Sequence, residues 1–231
     1  MSTPEILLWV VVPYVAIALF VAGHIWRYRR DQFGWTCHST QLLESRLLAW
    51  GSNLFHYGAL AAIAGHVVGL LIPEQLTAAV GVSEYVYHLF SAYAGTGAGL
   101  MCAAGLVILL YRRLAIPRVR VTTSYTDVAV DLLLLILIGL GLMETIGVNL
   151  LGSAYDYRLS VGVWFRGIFS FTLYPDLMSK APLLYQAHAA VAWLLVALWP
   201  FSRLVHAWSV PVQYLGRPHI LYRERFAQAR R

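Results

Sequence analysis

Five stretches of this chain are apolar for about 20 residues each, the length of helix that crosses the hydrocarbon core of a bilayer. They run at about 5–26, 48–72, 86–111, 127–148 and 183–208. Backbone N–H and C=O groups find no water inside a bilayer, so each block must close its hydrogen bonds internally, as a helix. The fold class that follows is all-α: an integral membrane bundle of five transmembrane helices. It forms a single domain over residues 1–231, with 209–231 as a polar tail. Composition agrees, since only 12% of residues are charged, against about 25% in soluble chains. No repeat and no low-complexity tract interrupts the pattern.

The basic residues orient the bundle. Arg27, Arg29, Arg30 and Arg46 lie between the first two spans, and Arg112, Arg113, Arg118 and Arg120 between the third and fourth. Arg203, Arg217, Arg223, Arg225, Arg230 and Arg231 gather at the C-terminal end. Cytoplasmic connections collect Lys and Arg, so the N-terminus is expected outside and the C-terminus in the cytoplasm. The net charge of +6 then reflects topology and a docking surface, with no nucleic-acid partner required. The first block is read as a retained span. Glu5 precedes it and the arginines follow it, the reverse of a cleaved signal peptide. Pro13 falls inside it, where a neighbouring helix can satisfy the carbonyl that proline leaves unbonded. The 149–182 connection is half apolar and is expected to lie along the outer membrane interface, with Trp164 and its tyrosines at headgroup depth. Neither Cys37 nor Cys102 belongs to a CxxC or CxxCH motif, which excludes an encoded iron–sulfur cluster, structural zinc or covalently attached c-type haem.

Two spans carry histidines. His56 and His66 are in the second, and His188 and His206 in the fifth. An ionisable ring in a span is costly and faces protein or a cavity. The second span runs inward to outward and the fifth the opposite way. Depth therefore pairs His66 with His188 towards the outside and His56 with His206 towards the inside. Each pair can clamp a planar metal cofactor from both faces, and a tetrapyrrole suits the arrangement, giving two haem b groups. On ideal helices the axial separations disagree, at about 27 Å for the fifth span and about 15 Å for the second. Helix tilt and a broad macrocycle are the expected remedy. Gly58, Gly65, Gly69 and the run "AGTGAG" at 94–99 either admit a ring close to backbone or let helices pack closely. Arg112, Arg113 and Arg203 are candidates for the haem propionates, or serve topology and lipid headgroups. His24, His38 and His219 read as polar surface. Asp127 is a helix cap. Glu144 reads as an interfacial carboxylate, with acceptance of a quinol proton as the other reading.

The segments "SNLFHYGALAAIAGHVVGLL", "RRLAIPRVR" and "WPFSRLVHAWSVPVQYL" resemble the membrane cytochrome b (gamma) subunit of bacterial respiratory nitrate reductase, and the likeness extends over essentially the whole chain. It implies the same four haem ligands: His66 with His188, and His56 with His206. It further implies oxidation of a quinol, menaquinol or ubiquinol, near the outer haem. Electrons would then pass through both haems to an iron–sulfur beta subunit and on to a molybdenum catalytic alpha subunit that reduces nitrate. The setting would be the bacterial cytoplasmic membrane and its lipid. In the family a lysine just before the third span holds the quinol. Here the matching residue is Val86, so the pocket is expected to comprise Gly65 and His66, with Tyr87 or His88 in place of the lysine. The alternative is a related di-haem b cytochrome that serves another quinone-linked reductase. A transporter with proton-relaying histidines is a third reading, and it would be colourless.

Overall fold

The computed structural model describes residues 2–31, 33–152 and 154–208, and all regular structure among these residues is helical. Five helices are long and apolar enough to cross a membrane: Thr3–Arg30, Arg46–Leu71, Glu84–Ala115, Tyr125–Leu150 and Leu183–Phe201. The expected tail, with His219 and five of the C-terminal arginines, lies outside the described residues.

Local chemistry sets the helix ends. Ser83 Oγ accepts from the Val86 amide at 3.3 Å and starts the third span. Ser124 and Asp127 form a reciprocal capping box at the start of the fourth, each side chain accepting from the other's amide at 3.1 and 3.0 Å, which satisfies two otherwise orphaned donors. The second and third spans end where Ile72 and Ile116 turn extended before Pro73 and Pro117, because a residue preceding proline is driven out of the helical region.

The fifth span departs from expectation. It does not run unbroken to 208. Its α-helix ends at Leu198, a 3-10 turn covers Trp199–Phe201, and Ser202 is extended at φ −121°, ψ 177°. A second 3-10 segment, Arg203–Trp208, carries His206. Pro200 has no N–H to continue the ladder, which is the local cause. Arg27 of the first span completes the stop by donating to the carbonyls of Pro200 and Ser202 at 2.7 and 2.9 Å. The break removes the disagreement in axial spacing, because His206 no longer has to sit a full 18 residues down a straight rod from His188.

Pro13 also acts as a local wedge. A wide turn, Leu7–Val11, precedes it, and the helix continues beyond. The carbonyl four residues before Pro13 belongs to Trp9, and it accepts from Trp164 Nε1 at 2.8 Å. Trp164 is packed against protein rather than presented on the surface. It is 3% exposed, set edge-on to Trp9 with ring centroids 5.8 Å apart. The helix Val161–Ser170 packs its buried face into a core built from Trp9, Ile168, Met178, Tyr185 and Trp193.

The second and third spans pack along most of their length, and glycines allow it. A Cβ on Gly58 would lie 2.5 Å from Cys102 N and 2.8 Å from Ala98 O of the third span. The fifth span packs on the first and fourth, whereas the backbones of the second and fifth spans stay apart.

Candidate functional site: two facing histidine pairs

What joins the second and fifth segments is their histidines. His66 and His188 face each other with ring centroids 6.0 Å apart and planes 18° from parallel. His56 and His206 lie 5.9 Å apart at 69°. Two metal–nitrogen bonds of about 2 Å, plus about 1 Å from each ligating nitrogen to its ring centre, place opposed imidazoles about 6 Å apart. Both pairs meet that spacing.

Ring orientation follows from the backbone. Nδ1 of His66 lies 2.7 Å from Ala62 O, and Nδ1 of His56 lies 2.7 Å from Ser52 O. Nδ1 of His206 lies 2.6 Å from Arg203 O. A carbonyl only accepts, so Nδ1 carries the proton in all three and Nε2 presents its lone pair. Metal-binding imidazoles are held in this way. His188 differs, because its Nδ1 faces the Glu144 carboxylate at 3.8 Å. Glu144 is thus a largely buried neighbour of a histidine, its side chain 13% exposed. A lone acid in an apolar span was the signal for it.

The glycines divide between the two readings. Gly58 serves helix packing, and Gly69 makes room for the Tyr157 hydroxyl. Gly65 and Gly97 have nothing within 4 Å of a built Cβ, so both leave open space, one of them beside His66. Opposed imidazole rings at that spacing, separated backbones and open glycines fit a flat bis-imidazole tetrapyrrole.

The three arginines sit together, but each has protein partners. Arg112 is 4% exposed and is held by the Glu44 carboxylate at 2.7 Å and by Thr40 Oγ1 at 2.9 Å. Arg113 pairs with Asp131 at 2.7 Å and Asp127 at 3.3 Å. Arg203 donates to Asp127 at 2.6 Å and borders an open cavity of about 760 Å³ with Arg27 and Ser124. His24 is not a plain surface residue. It is half-buried, with Phe20 at 4.3 Å and Trp35 at 5.5 Å between ring centroids.

At the opposite end, Tyr87 and His88 both have partners. The Tyr87 hydroxyl bonds Tyr157 at 3.0 Å, and Arg158 lies over its ring at 3.9 Å. Burial, reinforced by the Tyr87 hydroxyl, raises the Tyr157 phenol far above its ordinary ionisation range, so it stays neutral. His88 Nε2 donates to Asn149 O at 3.1 Å. Arg158, missed in the sequence, is 1% exposed. It is held by Glu84 at 3.1 Å and Thr77 at 2.7 Å, where Glu74, Glu84 and Asp156 bring carboxylates within 4.8 Å of one another. Only its place in a half-apolar, aromatic connection hinted at burial. Val86 faces outward and lines an open apolar groove of about 470 Å³ with Leu89, Phe90, Tyr93 and Ala94.

Comparison with known proteins gives a consistent answer. Residues 5–225 match the family described as nitrate reductase gamma subunit. The chain is 45% identical over 219 residues to the nitrate reductase gamma chain of Bacillus subtilis, covering 95% of this chain and 98% of that one. It is 36% identical over 214 residues to the respiratory nitrate reductase 1 gamma chain of Escherichia coli, covering 92% and 94% respectively. It also matches 34% of the longer nitrate reductase-like protein NarX of Mycobacterium tuberculosis at 47% identity over 220 residues.

Proposed function

This chain belongs to the nitrate reductase gamma subunit family, and from that premise we propose that it is the quinol-oxidising, electron-transferring membrane subunit of such a complex. It is a multi-pass membrane protein and a subunit of a nitrate reductase. The reading beyond that is ours. His66 with His188, and His56 with His206, each hold one haem b, and electrons from quinol leave towards an iron–sulfur beta subunit and a molybdenum alpha subunit. The single observation that carries it is the pair of imidazole spacings, 6.0 and 5.9 Å, on helices whose backbones stay apart.

His66, His188, His56 and His206 would hold the two haems, which when bound would supply one-electron transfer between the ends of the bundle. The protein's part is geometry. Three backbone carbonyls fix the tautomers of His56, His66 and His206. Ten residues of the second span set the two levels about 15 Å apart along the bilayer normal. The Pro200 break brings the second partner to the matching level. Arg203, bordering the cavity at the His56 end, is the cation we assign to a propionate. Arg112 and Arg113, beside it, are held by their carboxylates. At the His66 end the quinol ring would meet Gly65 and His66, and the groove along Val86, Phe90 and Tyr93 would take its apolar tail. His88 or Tyr87 would take the place of the lysine there. By the basic connections this end faces outside and the C-terminal end the cytoplasm, so protons leave on one side and electrons on the other. Each charge moved against 100 mV is worth about 2.3 kcal/mol.

The test is haem content. The purified complex should contain two b haems per gamma chain by pyridine haemochrome, and His66→Ala and His206→Ala should each leave one. A colourless parent, as a transporter would be, or a variant that keeps both haems, refutes the reading.

A further inference from the structure

We infer that Glu144 is a positioning residue for His188, taking the place of the backbone carbonyl that holds each of the other three histidines. The inference rests on the haem reading above.

Three of the four rings have Nδ1 on a carbonyl of their own segment. His188 breaks the pattern. Among the described residues its Nδ1 is buried with no hydrogen-bond partner, and so is Glu144 Oε1. The two atoms are 3.8 Å apart. Each is therefore the other's available polar counterpart in an apolar setting, where an unmatched polar atom is costly.

The fourth span is built to bring them together. Gly141, one turn before Glu144, lies against the imidazole edge: a Cβ there would sit 3.1 Å from His188 Cε1 and 3.4 Å from Nδ1. Any larger residue would push the ring away from the carboxylate. The helix widens into a π segment, Met143–Leu150, at the residue before Glu144, and such widened turns re-aim side chains at functional positions. The Gly141 carbonyl is taken by Thr145 Oγ1 at 2.8 Å, so it does not compete for the ring. A modest torsional adjustment of Glu144 closes the remaining gap to about 2.8 Å, the length of a charge-assisted hydrogen bond.

A carboxylate behind a ligating imidazole fixes its tautomer and makes it a stronger donor. A stronger imidazole donor favours the oxidised state of the metal. The His66–His188 centre should therefore have a lower reduction potential than the same site without Glu144. The His56–His206 centre, backed by carbonyls on both rings, should be indifferent.

The experiment uses the full complex with Glu144→Gln and Glu144→Ala. Haem is counted by pyridine haemochrome, and midpoint potentials and low-spin EPR signals are read by redox titration. Both variants should keep two haems, with one midpoint raised, further in Glu144→Ala than in Glu144→Gln, and its EPR signal shifted. Adding His206→Ala should leave the shifted centre as the one that remains. Two haems with both potentials and both signals unmoved would overturn the inference and leave the haem reading intact. Should Glu144→Ala fail to assemble, the near-isosteric Glu144→Gln carries the test alone. A parent without haem would overturn the underlying reading instead.

Discussion

The bond between Trp164 and Trp9 offers a direct test of how a proline is accommodated in the first span. Pro13 cannot donate to the Trp9 carbonyl, and the Trp164 indole does so at 2.8 Å. In Trp164→Phe the carbonyl is left unbonded among apolar groups, at a cost of about 1–3 kcal/mol. The smaller ring also leaves a gap in the core around Trp9, Ile168 and Trp193, worth about 1–2 kcal/mol. Together these lower stability by about 2–5 kcal/mol, and a chain of this size loses about 2–4 °C of midpoint per kcal/mol. Thermal unfolding of the detergent-purified complex, followed by circular dichroism, should show the drop. The decisive measurement is the cycle with Pro13→Ala. That substitution supplies the missing amide, so Trp164→Phe made on top of it should cost only its packing component, and the two changes should couple by about 1–2 kcal/mol. Equal losses from Trp164→Phe in the parent and in the Pro13→Ala background would show that the indole is not there to satisfy the carbonyl.

Two further outcomes are expected. Gly58→Ala places a methyl 2.5 Å from backbone nitrogen of Cys102, which cannot rotate away, so the second and third spans must part; the strain of about 1–3 kcal/mol should lower the unfolding midpoint and weaken haem retention next to His56. Gly139→Ala, with nothing within 4 Å, is the control and should leave both unchanged in the same two assays. At Glu44, burial pushes the carboxyl up, but the Leu47 and Leu48 amides and the Arg112 guanidinium outweigh it and hold it below its ordinary 4.5. A depressed folded value means stability that is present above about pH 4.5 and lost as pH falls through the folded value. Acid unfolding curves should therefore be flatter below pH 4.5 in Arg112→Leu than in the parent, and identical curves would exclude the pair as a contributor.

The pairing of the histidines was legible from order and depth alone. Spans two and five run in opposite directions, so His66 had to meet His188 and His56 had to meet His206. The Asp127 cap was equally readable, because a capping box is a contact three residues long. What the linear order concealed was the route by which His206 arrives. A straight helix from His188 overshoots, and only the Pro200 break, held by Arg27 from the first span, corrects it. The same limit applied to Trp164, whose partner, the Trp9 carbonyl left unbonded by Pro13, lies some 150 residues away. Arg158 and Glu144 looked like ordinary connection and interface charges until folding buried them.

The sequence by itself determined that this chain forms five helices long and apolar enough to cross a bilayer and opposes two pairs of imidazoles. The thickness of hydrocarbon imposes one length on every apolar block, and an unbonded backbone has no place in lipid. Tertiary structure decided which carbonyls, arginines and carboxylates met. Those choices depend on distances between residues far apart in the chain, and a buried polar group accepts whichever partner packing brings within about 3 Å.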